Sequence, residues 1–350
     1  MDSRERVLYV LNHREADRVP CDFWAVPKVA EELRQHLQLP SLAALLDYLN
    51  IDLRYVFPRY TGPALRTFSD GSREDIWGIR RDPKYNEVSY APLSQAESVK
   101  EIEKFSWPDP DWYDYSGLVS AVSDYQRWAV VVSAERTNRP SVLHQGIYLC
   151  GMEKLMIDLV LRPVLVEAIF EHVSHFYLEV LRRVLTSVSG QVDMVLVGDD
   201  LGTQESLLAS PEILSRLGLP YLKKYFSLVH RFGVKVMFHC CGAIRPMIPN
   251  LIEAGVDVLN PIQVRAAGMN PAELKKEFGR YLCFHGGIDI QQTLSFGTPE
   301  DVRREVTERI TQLGSQGGYI LCSTHNLQLS TPLENILAMY EAARSFVIRR

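Results

Sequence analysis

The second half of the chain repeats one pattern of apolar and polar positions. Short runs at Asp193–Val197, Val234–Phe238, Val256–Leu259, Tyr281–Phe284 and Tyr319–Cys322 are nearly continuous in apolar residues, as parallel strands covered on both faces require. Between them stand helix openings of one type: Ser210-Pro211-Glu212, Asn270-Pro271-Ala272-Glu273, Thr298-Pro299-Glu300 and Thr331-Pro332-Leu333-Glu334. Each offers a side-chain oxygen for the first free N–H groups, a proline preset for the first turn and a carboxylate near the positive end of the helix dipole. Gly279 and Gly314 close two of the helices.

Upstream, Trp128–Ser133 and Ile51–Phe57 add two strands, and Pro20–Ala25 or the region before Trp128 is left to supply an eighth. Repeated βα units without a GxGxxG fingerprint, a phosphate loop or an internal repeat predict a closed, distorted (β/α)8 barrel of the TIM type rather than a doubly wound sheet. Residues 1–350 are read as a single barrel domain with an N-terminal helical segment. An excursion around residues 68–115, rich in Asp, Pro and aromatic residues, leaves that barrel.

Composition narrows the partners. Thirty-eight basic against 43 acidic residues give a formal charge of -5, so no broad positive field is expected to hold nucleic acid or an anionic membrane. Met1–Asp17 carries Asp2, Arg4, Glu5, Arg6 and Arg14 and lacks the apolar stretch of a signal peptide. The apolar region Leu155–Phe170 is interrupted by Asp158, Arg162, Pro163 and Glu167, too polar to span a bilayer. Six cysteines with an adjacent Cys240-Cys241 pair suit a reducing compartment, and the expected location is the cytoplasm.

In a βα barrel the chemistry gathers at the carboxyl ends of the strands, so the residues after each apolar run carry the information. They include Asp199, Asp200 and Gln204, then His239, Cys240 and Cys241, then Asn260 and Gln263, then His285 and Asp289, and finally Cys322 and His325. His239 and Cys241, two apart at one strand end, can turn toward one ion, and imidazole with sulfur is a ligand mixture that suits zinc. A third ligand must come from another strand: His325, Cys322 or His285. Cys240, Cys283 and Cys322 can equally be small core residues. Either aspartate of the Asp199-Asp200 pair can simply cap a loop or helix, or act as a general base or substrate anchor. His172 and His175 fall in a helix and are read as structural.

These segments together resemble the uroporphyrinogen decarboxylase superfamily. The resemblance rests on Gly198-Asp-Asp-Leu-Gly-Thr-Gln204, Phe238-His-Cys-Cys-Gly242, Glu253–Pro261, Phe284-His-Gly-Gly-Ile-Asp289, Thr331-Pro-Leu-Glu-Asn335, Asp75-Ile-Trp-Gly78 and Trp107-Pro108. It is closer to the branch of zinc-dependent methyltransferases that work with methylated corrinoid proteins. The resemblance implies a distorted barrel with a deep cavity at the carboxyl rim. It also implies Zn2+ held by His239, Cys241 and His325, the last standing where that branch has a cysteine, with Cys322 as substitute.

The decarboxylases carry an arginine-rich RQAGRY-type segment that clamps substrate carboxylates; here the stretch reads Val19–Pro27 and lacks the arginines. The aspartate of their FSDI motif is missing from Val56–Tyr60, which carries Arg59 instead. The expected activity is therefore methyl transfer from a corrinoid (methylcobalamin) to a zinc-activated thiol. Asp199, Asp200 and His285 are the expected catalytic groups, and Gln204, Asn260, Gln263 and Asp289 the expected substrate contacts. The chain lacks the DxHxxG motif that ligates cobalt, so the expected partners are a separate corrinoid protein and a small-molecule thiol acceptor, with a homodimer as the assembly expected. Two rival readings are a lyase pairing a carboxylate substrate with Arg59, Arg136 or Arg139, and a barrel that only binds a corrinoid or tetrapyrrole.

Overall fold

A computed structural model describes residues 1–84, 86–133 and 139–346. Its centre is a sheet of seven parallel strands: β1 (Leu53–Val56), β2 (Ala129–Val132), β3 (Met194–Gly198), β4 (Lys235–His239), β5 (Val258–Ile262), β6 (Cys283–Ile288) and β7 (Tyr319–Ser323), hydrogen-bonded in that order. The gap between β7 and β1 is bridged by the Pro20–Ala25 segment. Leu321 N–H donates to the Pro20 carbonyl, Asp22 N–H to that of Leu321, and Asp52 N–H to that of Cys21, each at 2.9 Å. The eighth position of the barrel is thus filled by an extended segment making isolated bridges rather than a full strand.

Alternation along the strands sorts the core into two parts. Leu53, Val131, Leu196, Met237, Val258, Cys283 and Ile320 point inward and form a cluster inside the barrel. The helix Ser3–Leu11 plugs the amino end of this interior with Val7, Val10 and Leu11. The outward-facing residues join a larger core under the surrounding helices. Beneath the plug, Asp52 is fully buried and accepts from Arg6, Arg18 and the Cys21 N–H, which ties the helix, the closing segment and β1 together.

Three of the expected helix starts cap as anticipated. Ser210 accepts from Ile213 N–H, Asn270 from Ala272 and Glu273, and Thr298 forms a capping box with Asp301. The fourth does not: the last helix begins at Leu333 with Pro332 at its cap, and the buried Thr331 hydroxyl has no hydrogen-bond partner. The excursion forms a three-stranded antiparallel sheet (Arg73–Glu74, Arg80–Arg81, Val88–Tyr90). Trp77 anchors the excursion against Trp107 and against Phe176 and Tyr177 of the 25-residue helix Pro163–Ser187. His172 and His175 lie on that helix, His172 stacked on Trp107.

Candidate metal centre

All five strands of the second half run past their apolar runs, β5 and β6 the furthest. The β5 run ends at Leu259 but the strand continues through Asn260 to Ile262, and the β6 run ends at Phe284 but the strand continues through His285 to Ile288. The run stops at the first polar residue; the strand does not, because that residue points inward and finds a polar partner on the next strand. Two residues above Met237, Val258, Cys283 and Ile320, the same inward face therefore carries His239, Asn260, His285 and Cys322. A polar layer lies on top of the apolar one, at the carboxyl end.

Within it His239 Nδ1 lies 2.6 Å from Asn260 Oδ1, so the proton sits on Nδ1 and the Nε2 lone pair faces outward. Nε2 is 3.5 Å from Cys241 Sγ and 3.7 Å from Asp200 Oδ1. These three donor atoms all lie within 4.8 Å of one another. Burial, then the positive Arg139, pushes the His239 pKa down to about 3, which keeps the ring neutral and able to donate its lone pair. Burial opposes ionisation of Asp200, yet the hydrogen bond to His144, the adjacent imidazoles and the Cys241 N–H outweigh it and hold the carboxyl well below the usual range. Gln263 Oε1 accepts the Gly242 N–H at 2.6 Å and fixes the turn that presents Cys241.

The other expected site residues separate into distinct roles. Asp199 is buried and accepts from the N–H groups of Val142, Leu143 and His144, so it anchors the start of the helix Leu143–Cys150. Burial raises its pKa to about 6 despite those bonds. His285, one of the expected catalytic groups, is fully buried, with Nδ1 facing Asn260 Nδ2 and Nε2 2.9 Å from Asp22 Oδ2. Cys322, the substitute ligand, joins that second group: its sulfur lies within 4.8 Å of the Asp22 and His285 donors. Gln204 is exposed on the loop after β3, and Asp289 pairs with Arg265 and accepts from Gln291 N–H. His325 is half-buried and near enough for its charge to bear on His239. Arg59 is 79% exposed on a small outer sheet with Asp114, away from the metal cluster; Arg136 lies outside the described residues.

Sequence reasoning missed two groups, His144 and Trp24, and gave Asp200 another role. Asp200 had been read as a base, not as the third member of the compact donor trio. His144, 3.2 Å from Asp200 Oδ2, sits eleven residues beyond Ser133, where the β2 run ends, further than the strand-end rule was carried. Trp24 stacks on His239, with ring centroids 5.5 Å apart. The cavity lined by Arg139, His144, Asp200 and His239 measures about 10 Å³, room for a water-sized group. Among the described residues Tyr148 also lines this small cavity.

Residues 143–346, more than half of the chain, match the family described as uroporphyrinogen decarboxylase (URO-D). Uroporphyrinogen decarboxylase of Hordeum vulgare is 26% identical over 137 residues, 39% of each chain. That of Microcystis aeruginosa is 24% identical over 139 residues, 39% of this chain and 37% of the relative. The chain thus aligns with about two fifths of the length of these curated relatives. Among solved structures, a methyltransferase from Methanosarcina mazei superposes over 99% of both chains with a TM-score of 0.71 at 17% identity, which establishes a shared fold.

Proposed function

The chain belongs to the uroporphyrinogen decarboxylase family, and on that premise we propose that it is a zinc-dependent methyltransferase that moves a methyl group from a corrinoid to a thiol. The observation that carries this reading is the pairing of His239 Nε2 with Cys241 Sγ at 3.5 Å. Nitrogen and sulfur ligands at about 2.0 and 2.3 Å from a tetrahedral zinc stand about 3.5 Å apart. Asp200 Oδ1, at 3.7 Å from Nε2, completes a trio of nitrogen, sulfur and oxygen donors that fits zinc and leaves a fourth position.

Zinc supplies positive charge that lowers the pKa of an acceptor thiol from about 8.5, so that thiolate is present at neutral pH. The chain's own residues do the rest. His239, Cys241 and Asp200 would hold the ion, with the half-buried His325 near His239 but outside the trio. His144, anchored through Nδ1 on Asp200, takes at Nε2 the proton the thiol gives up. A methylated corrinoid would supply the carbon, the new C–S bond replacing a Co–C bond whose electron pair would stay on cobalt. The methyl donor in this reading is a separate corrinoid protein docked over the rim, where Gln204, expected as a substrate contact, is exposed.

The decarboxylase reading is favoured by the names of the two curated relatives. Against it, the Val19–Pro27 segment brings no arginine, and its Asp22 and Trp24 are occupied with His285 and His239. Elemental analysis and turnover of methylcobalamin with a panel of thiols separate the two. The expected result is one zinc per chain with methyl transfer, metal lost in Cys241→Ser and Asp200→Ala, and His325→Ala weaker in turnover than in metal content. Zinc-free chain from zinc-replete preparations, or full metal in Cys241→Ser, overturns the proposal.

A further inference from the structure

Behind the donor trio runs a buried chain of polar groups whose hydrogen-bond directions are all determined. It starts at Trp24, whose Nε1–H donates to Tyr55 Oη at 2.8 Å, and Tyr55 Oη–H donates to Asp22 Oδ2. Burial and the Asp22 charge hold the Tyr55 hydroxyl protonated, so it can only be the donor there. Asp22 accepts on its other oxygen from the Phe23 N–H at 2.8 Å, and on Oδ2 a second time from His285 Nε2 at 2.9 Å. With its proton on Nε2, His285 has a lone pair at Nδ1, which accepts from Asn260 Nδ2. The Asn260 amide is thereby oriented with Oδ1 toward His239 Nδ1, 2.6 Å away. Asp22, Asn260 and His285 are at most 1% exposed, so no solvent competes for these bonds.

We propose that Asp22, through His285 and Asn260, is a positioning device for the metal ligand His239: it selects the Nδ1–H tautomer, aims Nε2 at Cys241, and so sets the strength with which the centre holds zinc. The proposal rests on the metal-centre reading above. The physical argument is directional. A carboxylate only accepts, so it must draw a proton to His285 Nε2; that leaves His285 Nδ1 only accepting, so it must face the amide nitrogen; and that leaves the amide oxygen for His239. Reversing any member opposes two donors or two acceptors in a site without water, at a cost comparable to an unmade buried hydrogen bond. A ligating imidazole whose second nitrogen donates to a fixed acceptor is held in one orientation and made a better donor, and loss of such support lowers metal affinity about 10- to 100-fold. Trp24, stacked on His239 at 21° and on Tyr55 edge-on, closes the chain from above. Asp22 touches neither the trio nor the fourth position, and is therefore not a catalytic residue.

The test uses the full chain in two arms. In the metal-free protein, 15N-histidine NMR reads the His239 tautomer directly: Nδ1–H in the wild type, a mixture of tautomers in Asp22→Asn and Asn260→Ala. In the second arm, zinc affinity measured against a competing chelator falls 10- to 100-fold in both variants. Asn260→Asp, which keeps an acceptor opposite His239, recovers most of the affinity that Asn260→Ala loses, an outcome that a general loosening of the fold does not produce. Asp193→Asn, a buried aspartate at the amino end of the barrel paired with Arg4, serves as the control and leaves zinc affinity unchanged. Should Asp22→Asn fail to fold, Asn260→Ala and Asn260→Asp decide. Folded variants with a wild-type tautomer and wild-type zinc Kd overturn the proposal. A wild type that binds no zinc overturns the functional reading instead, while the tautomer arm still decides whether the relay orients His239.

Discussion

Trp24 lies over His239 with ring centroids 5.5 Å apart and planes 21° from parallel, which puts an indole in contact with a ligand of the proposed metal. Trp24 comes from the segment that closes the barrel, and His239 from the end of β4 on the opposite side of the closure. The contact makes the centre optically addressable. Co2+, which quenches fluorescence at short range, is expected to dim the emission of the wild type in a saturable titration. In Trp24→Phe most of that response disappears although four other tryptophans remain. An undiminished response in the variant places the ion elsewhere.

The two neighbouring aspartates are expected to fail in opposite ways. Asp199→Ala strands two buried N–H groups and a partly buried one at the start of a helix, a loss of about 2–4 kcal/mol that lowers the melting temperature. Asp200→Ala removes a half-buried carboxylate from the donor trio, so the melting temperature of the metal-free chain shifts little while metal affinity falls. Melting curves with and without EDTA, set beside metal content, distinguish the two; equal thermal losses in the metal-free variants contradict the division of roles.

Gly242 follows Cys241 at φ +92°, and a Cβ there would stand 2.5 Å from the Thr203 carbonyl oxygen. Both the left-handed backbone and the close approach require glycine. Gly242→Ala is expected to displace the loop that presents Cys241, with a stability loss above the usual ~1 kcal/mol of a glycine replacement and a larger proportional loss of metal. A chelator competition assay that returns the wild-type affinity contradicts it.

At the amino end of the barrel the stability should depend on pH through Asp17. Burial opposes its ionisation, but the hydrogen bonds and charge of Arg6 outweigh burial and lower its pKa from 3.8 to about 2. The folded value lies below the unfolded one, so the contribution is complete above pH 4 and disappears as pH falls from about 4 through 2. With the side chain 44% exposed, screening reduces it to about 1 kcal/mol. Urea titrations of wild type and Asp17→Asn are expected to differ at pH 6 and to converge near pH 2; a gap that persists at pH 2 assigns the difference to something other than this ionisation.

Much of the barrel could be read along the chain because burial on both faces of a parallel strand leaves a local mark, an unbroken apolar run. Proline-headed helices leave another. Family membership was legible for a related reason: strand-end segments such as Phe238–Gly242 keep their residues together in the sequence. His239 and Cys241 were found that way, since a ligand pair two residues apart needs no tertiary information to be noticed. Where the strands ended was less legible. An inward-facing polar residue looks like a loop residue until its partner on the next strand is known, which is why Asn260 and His285 were placed after their strands rather than in them.

The amino-acid order by itself determined the βα alternation, the anionic and metal-capable chemistry of the rim and the His239–Cys241 pair, because each depends on neighbours within a few residues. Only the tertiary structure decided which aspartate stands with His239 and Cys241, that Cys322 keeps company with Asp22 and His285, and that the closing segment brings Trp24 and Asp22 to the same polar layer. Those relations join positions up to 300 residues apart, Asp22 with Cys322 the farthest, and the Asp22–His285 hydrogen bond spans 263. A hydrogen bond across such a separation depends on barrel closure and strand register, which no local pattern records.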